Sequence, residues 1–257
     1  MSAQDTSSPA ASSDADPGVA LIIGAGVATG SAVAKRFARG GFTICATRRD
    51  RKGELNTLAD EIEAVGGSAH VYASDARNED AVIELVDNIE RNVGPINVCV
   101  HNIGANVKFD IGETTARVFY KVWEMAAFSA FLVGREVSKH MAERRKGTII
   151  FTGATASVRG ASGFAAFSGA MHAKRALAQS MARELGPKGI HVAHTVIDGP
   201  IDTPWTREQM QHLLAERDWD NNMLVPDHIA EMYWQIHNQP RSAWTFELDM
   251  RPWAETW

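Results

Sequence analysis

The run Gly24-Ala25-Gly26-Val27-Ala28-Thr29-Gly30 follows an apolar stretch directly and opens a helical one. Glycines there let backbone N–H groups close on a pyrophosphate at a helix N-terminus. The spacing departs from strict G-x-G-x-x-G, and a tight turn that binds nothing has the same look. The placement between strand and helix is what makes Gly24, Gly26, Ala28, Thr29 and Gly30 candidate dinucleotide contacts. About 18 residues past Gly30, where an acidic side chain would accept the ribose 2′-OH of NAD, stand Arg48 and Arg49. Guanidinium groups at that place favour a 2′-phosphate, so NADP(H) is expected in preference to NAD(H). The bland alternative is that both arginines face solvent.

These residues need a scaffold, and the sequence supplies one. Short apolar runs at 19–23, 43–47, 70–73, 97–101, 148–152, 191–196 and 243–248 read as strands, several of them continuous enough to be covered on both faces. Between them, 31–39, 54–64, 79–92, 115–144, 164–185 and 227–238 carry helical periodicity. The alternation is that of βαβ units, and so of an α/β chain with a mainly parallel central sheet. His101 closes the fourth run at the carboxyl edge, where open α/β sheets bind ligands and where an imidazole titrates near neutrality. It is either a functional group or a neutral, hydrogen-bonded side chain beneath the cofactor.

Composition sets outer bounds. The 257 residues carry 26 Lys and Arg against 31 Asp and Glu, a formal charge of −5, which gives no electrostatic footprint for nucleic acid. Cys45 and Cys99 both lie inside strand candidates, which excludes a disulfide framework and a cysteine-built zinc site. Residues 1–17 lack aromatic, Val, Leu and Ile side chains and are expected to be a disordered tail before a single domain at 18–257. That tail has neither the apolar stretch of a secretory signal nor the Arg of a transit peptide. No apolar run approaches the roughly 18 residues of a membrane span, so a cytoplasmic protein without membrane partners is expected.

Further along the chain, Asp75, His101-Asn102-Ile103-Gly104, the Gly147-Thr148-Ile149-Ile150-Phe151 strand and the Asp198-Gly199-Pro200-Ile201-Asp202-Thr203 turn occur in order after the glycine loop. In this respect the chain resembles the short-chain dehydrogenase/reductase family over about residues 19–250. The resemblance implies a Rossmann-like doubly wound sheet of seven parallel strands in order 3-2-1-4-5-6-7, with helices on both faces. It places Asp75 and Ala76 near the adenine, Asn102 and Gly104 along the cofactor, and Thr203 near the nicotinamide amide, with Gly199 and Ile201 also counted among the cofactor-binding residues. The family's usual Asn-Asn-Ala-Gly has become His-Asn-Ile-Gly here, and its Pro-Gly turn has become Asp198-Gly199.

The family's catalytic Asn, Ser, Tyr and Lys do not carry over. Aligning the segment around Gly163 puts Phe167 at the Tyr, Met171 at the Lys, Ala154 at the Ser and Ala126 at the Asn. Carbonyl reduction needs a proton as well as a hydride, and neither Phe167 nor Met171 supplies one. Lys174, seven residues after Phe167, matches the spacing of the divergent enoyl reductases and either enters the cleft or is a solvated helix cation. His172 lies about 100° round the helix from Met171 and reads as a surface or interface residue. Thr155, beside the empty Ser position, is suited to orienting a substrate. Asp198 and Asp202 read first as turn and helix caps.

By resemblance, the segment holding Trp205, Met210, Leu213, Leu214, Trp219 and Met223 closes over an apolar or aromatic substrate, although the same residues suit plain packing. Two readings stand. One is an NADP(H)-dependent oxidoreductase moving hydride to or from an apolar imine, enone or carbonyl at a site without the Tyr-Lys pair. The other is a catalytically inactive nucleotide-binding relative with a regulatory or partner role. Family members pair their long fourth and fifth helices. Apolar residues on more than one face here, among them Phe128, Phe131, Met171 and Met181, imply a homo-oligomer, either dimer or tetramer. The aromatic C-terminal segment with Trp244, Trp253 and Trp257 is expected to dock on its own subunit or a neighbour.

Overall fold

The structure, a computed structural model, describes residues 17–50, 52–209 and 222–254. The expected tail at 1–16 lies outside them. Pro17, expected to belong to that tail, instead accepts a hydrogen bond from Asn97 Nδ2 at 2.7 Å.

Strands β1 (Val19–Ile23), β2 (Thr43–Arg48), β3 (Ala69–Ala73), β4 (Ile96–His101), β5 (Gly147–Ala154), β6 (Ile190–Ile197) and β7 (Glu247–Met250) form one sheet. Their order is β3-β2-β1-β4-β5-β6-β7, with parallel pairing throughout. Helices α1 (Thr29–Arg39), α2 (Lys52–Glu63), α3 (Glu79–Asn92), α4 (Ala116–Trp123), α5 (Ser129–Arg144), α6 (Ala165–Leu185), α7 (Pro204–Gln209) and α8 (Pro226–His237) connect them.

Alternation along the strands divides the core. Ala20, Ile22, Ile44, Ala46, Val98 and Val100 face α1, α2 and α8, packing on Phe37, Leu55, Ile62 and Tyr233. Val19, Leu21, Ile23, Cys99, Ile149 and Phe151 face α3, α5 and α6, packing on Val86, Ile89, Val133 and Ala178. Each fully buried Val, Leu, Ile or Phe contributes about 1.5–3 kcal/mol, which fixes the strand ends that carry the site. Tyr233 takes its hydroxyl into this core, where Thr152 and Thr195 meet it at 2.9 and 2.7 Å.

Two elements differ from the sequence expectation. The helix expected over 115–144 is interrupted by a π segment, Glu124–Phe128. The Ser129 N–H reaches Glu124 O, while its hydroxyl takes Met125 O at 2.5 Å, so the side chain replaces an i−4 backbone bond. The last strand runs over Glu247–Met250, whereas the apolar pattern placed it at 243–248. Residues ahead of it are held elsewhere: the Trp244 ring stacks on His191 at 4.8 Å, and the Thr245 N–H donates to Gln239 Oε1 at 2.7 Å. Trp244 thus docks on its own subunit, Trp253 is 82 % exposed, and Trp257 lies outside the described residues. Among the described residues no helix is long and apolar enough to cross a membrane.

Candidate active site

The glycine loop is tied to both neighbouring strands. Gly24 and Ala25 N–H groups donate to Thr47 O at 3.1 and 3.0 Å, and Asn102 Nδ2 donates to Gly24 O at 3.0 Å. Asn102 therefore acts on the loop's backbone as well as lining the cavity beside it. Gly24 has φ +87°, a conformation that favours glycine. A Cβ on Gly30 would stand 2.4 Å from Gly24 O, whereas one on Gly26 would meet nothing. Helix α1 starts after Ala28 with buried Thr29, and has neither a side-chain cap nor an acid in its first turn. Its positive end is left for an anion.

A cavity of about 260 Å³ opens beside the loop, lined by Gly24, Gly26, Thr47, Arg48, Arg49, Ser74, Asp75, Ala76, Arg77, Asn102, Ile103, Gly104 and Met125. This gathers the glycine loop, the end of β2, the turn after β3 and the end of β4 at the topological switch point. Arg48 is bonded to Glu54, and Arg49 lies 3.5 Å from Asp50. Arg77 holds Asp75 through two bonds, at 2.9 and 2.6 Å, which keeps the Asp75 carboxyl below its usual range. Sequence reasoning missed Arg77 and Ser74; the Ser74 hydroxyl is buried at the cavity wall without a hydrogen-bond partner. The one available signal was Arg77 standing two residues after Asp75. The loop and the uncapped helix end fit the pyrophosphate of a dinucleotide, and three guanidinium groups line the same cavity.

The four positions aligned with the missing catalytic groups come together in space. Ala126, Phe167 and Met171 belong to one apolar cluster with Ala105, Val122 and Ala156, and Ala154 packs against it. The Phe167 ring lies beside Gly104, 3.9 Å from where a Cβ there would stand. Ala126 falls within the π segment, and Met171 is 2 % exposed.

Lys174 is fully buried, so the solvated-cation alternative is excluded. Its Nζ donates to Ile103 O at 2.5 Å and Thr152 O at 3.1 Å, bridging the loop after β4 to β5 beneath the cavity floor. Burial draws its pKa down to about 7. His101 is turned away from the cavity, toward Phe151 and α5. Its Nε2 meets Ser129 Oγ at 2.9 Å, and burial together with the Lys174 charge holds the ring well below its ordinary pKa. It is a buried, hydrogen-bonded side chain set apart from the residues that line the cavity. His172 is exposed, as expected.

Thr155 starts the turn after β5, and its hydroxyl donates to Asp198 Oδ1 after β6. Asp198 is thus not the cap the sequence suggested. Asp202 is not one either: its carboxylate takes Arg207 at 2.6 and 2.9 Å. Thr203 caps α7, accepting from Thr206 N–H at 2.9 Å, so its hydroxyl serves the helix. Gly199 (φ +156°) and Ile201, which bridges to Leu224, complete that turn. In the following segment Trp205 is 68 % exposed and Met223 is buried, whereas Met210, Leu213, Leu214 and Trp219 lie outside the described residues.

The sequence model of the short chain dehydrogenase family matches residues 18–214. The chain is a short-chain dehydrogenase. Versicolorin reductase of Emericella nidulans is 30 % identical to it over 189 residues, which cover 73 % of this chain and 70 % of that protein. A short-chain dehydrogenase from Rhodopseudomonas palustris is 46 % identical, covering 92 % of this chain and 99 % of its own at a TM-score of 0.79. A metagenomic short-chain oxidoreductase in complex with NADP, 22 % identical with 92 % and 98 % covered, shares the fold at a TM-score of 0.77. In this short-chain dehydrogenase, the dinucleotide half is built of polar and glycine contacts, and the half next to it is apolar.

Proposed function

We propose that this short-chain dehydrogenase is an NADP(H)-dependent oxidoreductase that moves hydride to or from an apolar small molecule at a site without the Tyr-Lys pair. The observation that carries the reading is the juxtaposition of the arginine-ringed cavity with the cluster of Ala126, Ala154, Phe167 and Met171. A bound dinucleotide would supply the hydride. Gly24, Gly26, Ala28, Thr29 and Gly30 would receive its pyrophosphate, with Asp75 and Ala76 at the adenine. Asn102 and Gly104 would lie along it, and Gly199, Ile201 and Thr203 near its far end. Arg48, Arg49 and Arg77 would meet the 2′-phosphate. Solved chains of this fold carry NADP in one case and NAD+ in another, so the argument for NADP(H) rests on these guanidinium groups.

On the substrate side, Phe167 and its neighbours exclude water and offer no acid. Chemistry that needs little proton donation, such as reduction of an imine or a conjugated alkene, suits such a wall better than ketone reduction. Lys174, buried and bonded to Ile103 O, which belongs to a cavity-lining residue, would be a group able to exchange a proton near neutrality. The same apolar convergence favours a second reading, a nucleotide-binding relative without turnover. Incubating the protein with NADPH and panels of ketones, cyclic imines and enones, while following the reduced nucleotide's absorbance, separates the two. Oxidation with imines or enones supports the enzyme, and none across the panel supports the second reading.

The same proposal includes a homo-oligomer. Tyr120, Trp123, Phe128 and Phe131 form a row running from α4 through the π segment into α5, with ring centroids 6.4, 5.8 and 6.2 Å apart, and Tyr120, Trp123 and Phe131 are exposed. A monomeric mass in light scattering would count against it.

A further inference from the structure

Strands β5 and β6 end side by side, with Ala154 paired to Ile197. The next residue of each chain segment, Thr155 and Asp198, therefore meet over the carboxyl edge, where the Thr155 hydroxyl donates to Asp198 Oδ1. Arg251 lies 3.4 Å from Asp198 Oδ2, so the two oxygens of that carboxylate are divided between a guanidinium and a hydroxyl. Both Thr155 and Asp198 are only partly buried. The residues flanking Thr155, Ala154 and Ala156, pack in the Phe167 cluster, and Phe167 lies beside Gly104 at the cavity. The pair is thus a polar feature at the border of an otherwise apolar wall.

A threonine hydroxyl has one proton and two lone pairs. Because the carboxylate takes that proton, what Thr155 presents to an arriving molecule is a lone pair. A carbonyl oxygen brings only lone pairs and finds no donor here. An alcohol O–H or the N–H of a protonated imine or amine finds an acceptor, with the Asp198 charge behind it.

We propose that the Thr155–Asp198 pair is the substrate-recognition element of this site, and that it selects molecules presenting an O–H or N–H donor over ketones and enones that present only an acceptor. This rests on the oxidoreductase reading above and narrows its substrate class to protonated imines and the amines they become; an alcohol serves as a donor-bearing probe, because its oxidation is the reverse of the ketone reduction that the acid-poor wall disfavours. Thr155 accepts the donor, Asp198 fixes which way the threonine proton points, and Arg251 holds the second carboxylate oxygen. A site built to accept from a donor discriminates strongly against an isostere lacking it, because the acceptor is then left unpaired.

The test uses three ligands on one ring: cyclohexanol, cyclohexylamine and cyclohexanone. Their affinities are measured by titration NMR on the full chain, both without nucleotide and with the oxidation state that cannot react with the ligand in hand. The alcohol and the amine should bind at least tenfold tighter than the ketone, about 1.4 kcal/mol. Thr155→Val should abolish that difference, and Thr155→Ser should retain it. Asp198→Asn should shrink or reverse it, because an amide N–H can donate to Thr155 Oγ and turn the hydroxyl proton outward. Thermal melts of the serine variant control for folding. Equal affinities in the unaltered protein, a preference that survives Thr155→Val, or no binding of any of the three overturns the proposal. Failure to bind NADPH would sink the oxidoreductase reading but leave the nucleotide-free comparison readable. Intact NADPH binding with equal ligand affinities sinks donor selection alone.

Discussion

Lys174 is fully buried, and its replacement by Met tests how the site floor handles charge. The ammonium form is disfavoured by burial, so the folded chain gives up this proton near pH 7, whereas an exposed lysine keeps it to about 10.5. Between those values the unfolded chain binds more protons than the folded one, so raising the pH favours folding. From the linkage relation, the burial cost is about 4 kcal/mol at pH 7 and about 2 kcal/mol at pH 9. Methionine matches the stem in length and carries no proton, although it leaves Ile103 O and Thr152 O without their donor. That loss is independent of pH. Urea unfolding followed by far-UV circular dichroism, stepped from pH 7 to pH 9, should therefore show the stability of the unaltered protein rising relative to Lys174→Met by about 2 kcal/mol. A difference that stays flat would mean the ammonium persists between the two carbonyls, which would refute both its neutrality and its part in proton exchange.

Other outcomes follow from the same geometry. Gly30→Ala brings a Cβ to 2.4 Å from Gly24 O, so it should abolish NADPH binding in fluorescence titration and lower the melting temperature. Arg48→Ala and Arg49→Ala should each weaken NADPH about tenfold while changing NADH by less than twofold, because a lost charged contact to phosphate is worth about 1.5–3 kcal/mol. His237 is held to about pKa 4 by burial against an ordinary 6.5, so acid is taken up preferentially by the unfolded chain and stability falls as pH drops from 6.5 toward 4. His237→Phe should remove about 2 kcal/mol of the loss measured by urea unfolding between pH 7.5 and pH 5. Trp123→Glu, which places a charge in the exposed aromatic row, should lower the mass found by light scattering while leaving NADPH binding intact.

The parallel sheet could be read from sequence because its central strands are buried on both faces. Runs such as Val19–Ile23 have no polar interruption, and the residues between them keep a helical period. The last strand was misplaced because Trp244 and Thr245 look like strand residues but are held by His191 and Gln239, partners remote in sequence or set by the end of α8. The π segment was hidden for a similar reason: a single serine hydroxyl replaces one backbone bond, and periodicity barely registers it. At the site, the glycine loop, Arg48, Arg49, Asp75 and Asn102 could be placed together because each lies at or within two residues of a strand's carboxyl end, or begins there. Arg77 and Ser74 could not, since nothing local shows that the turn after β3 folds toward the cavity. The Thr155–Asp198 bond spans 43 residues and exists only because β5 and β6 are neighbours in register. Lys174 is the sharpest case, because a cation on a helix reads as solvated until the fold shows it under the loop after β4.

The account stands most directly on the arginine-ringed cavity holding NADP(H). Side-by-side fluorescence titrations of the full chain with NADPH and NADH decide it. The account predicts saturable binding of both, with NADPH at least tenfold tighter and that advantage lost in the Arg48→Ala, Arg49→Ala double variant. Equal affinities would contradict the role given to the guanidinium groups, and binding of neither would contradict the dinucleotide site itself.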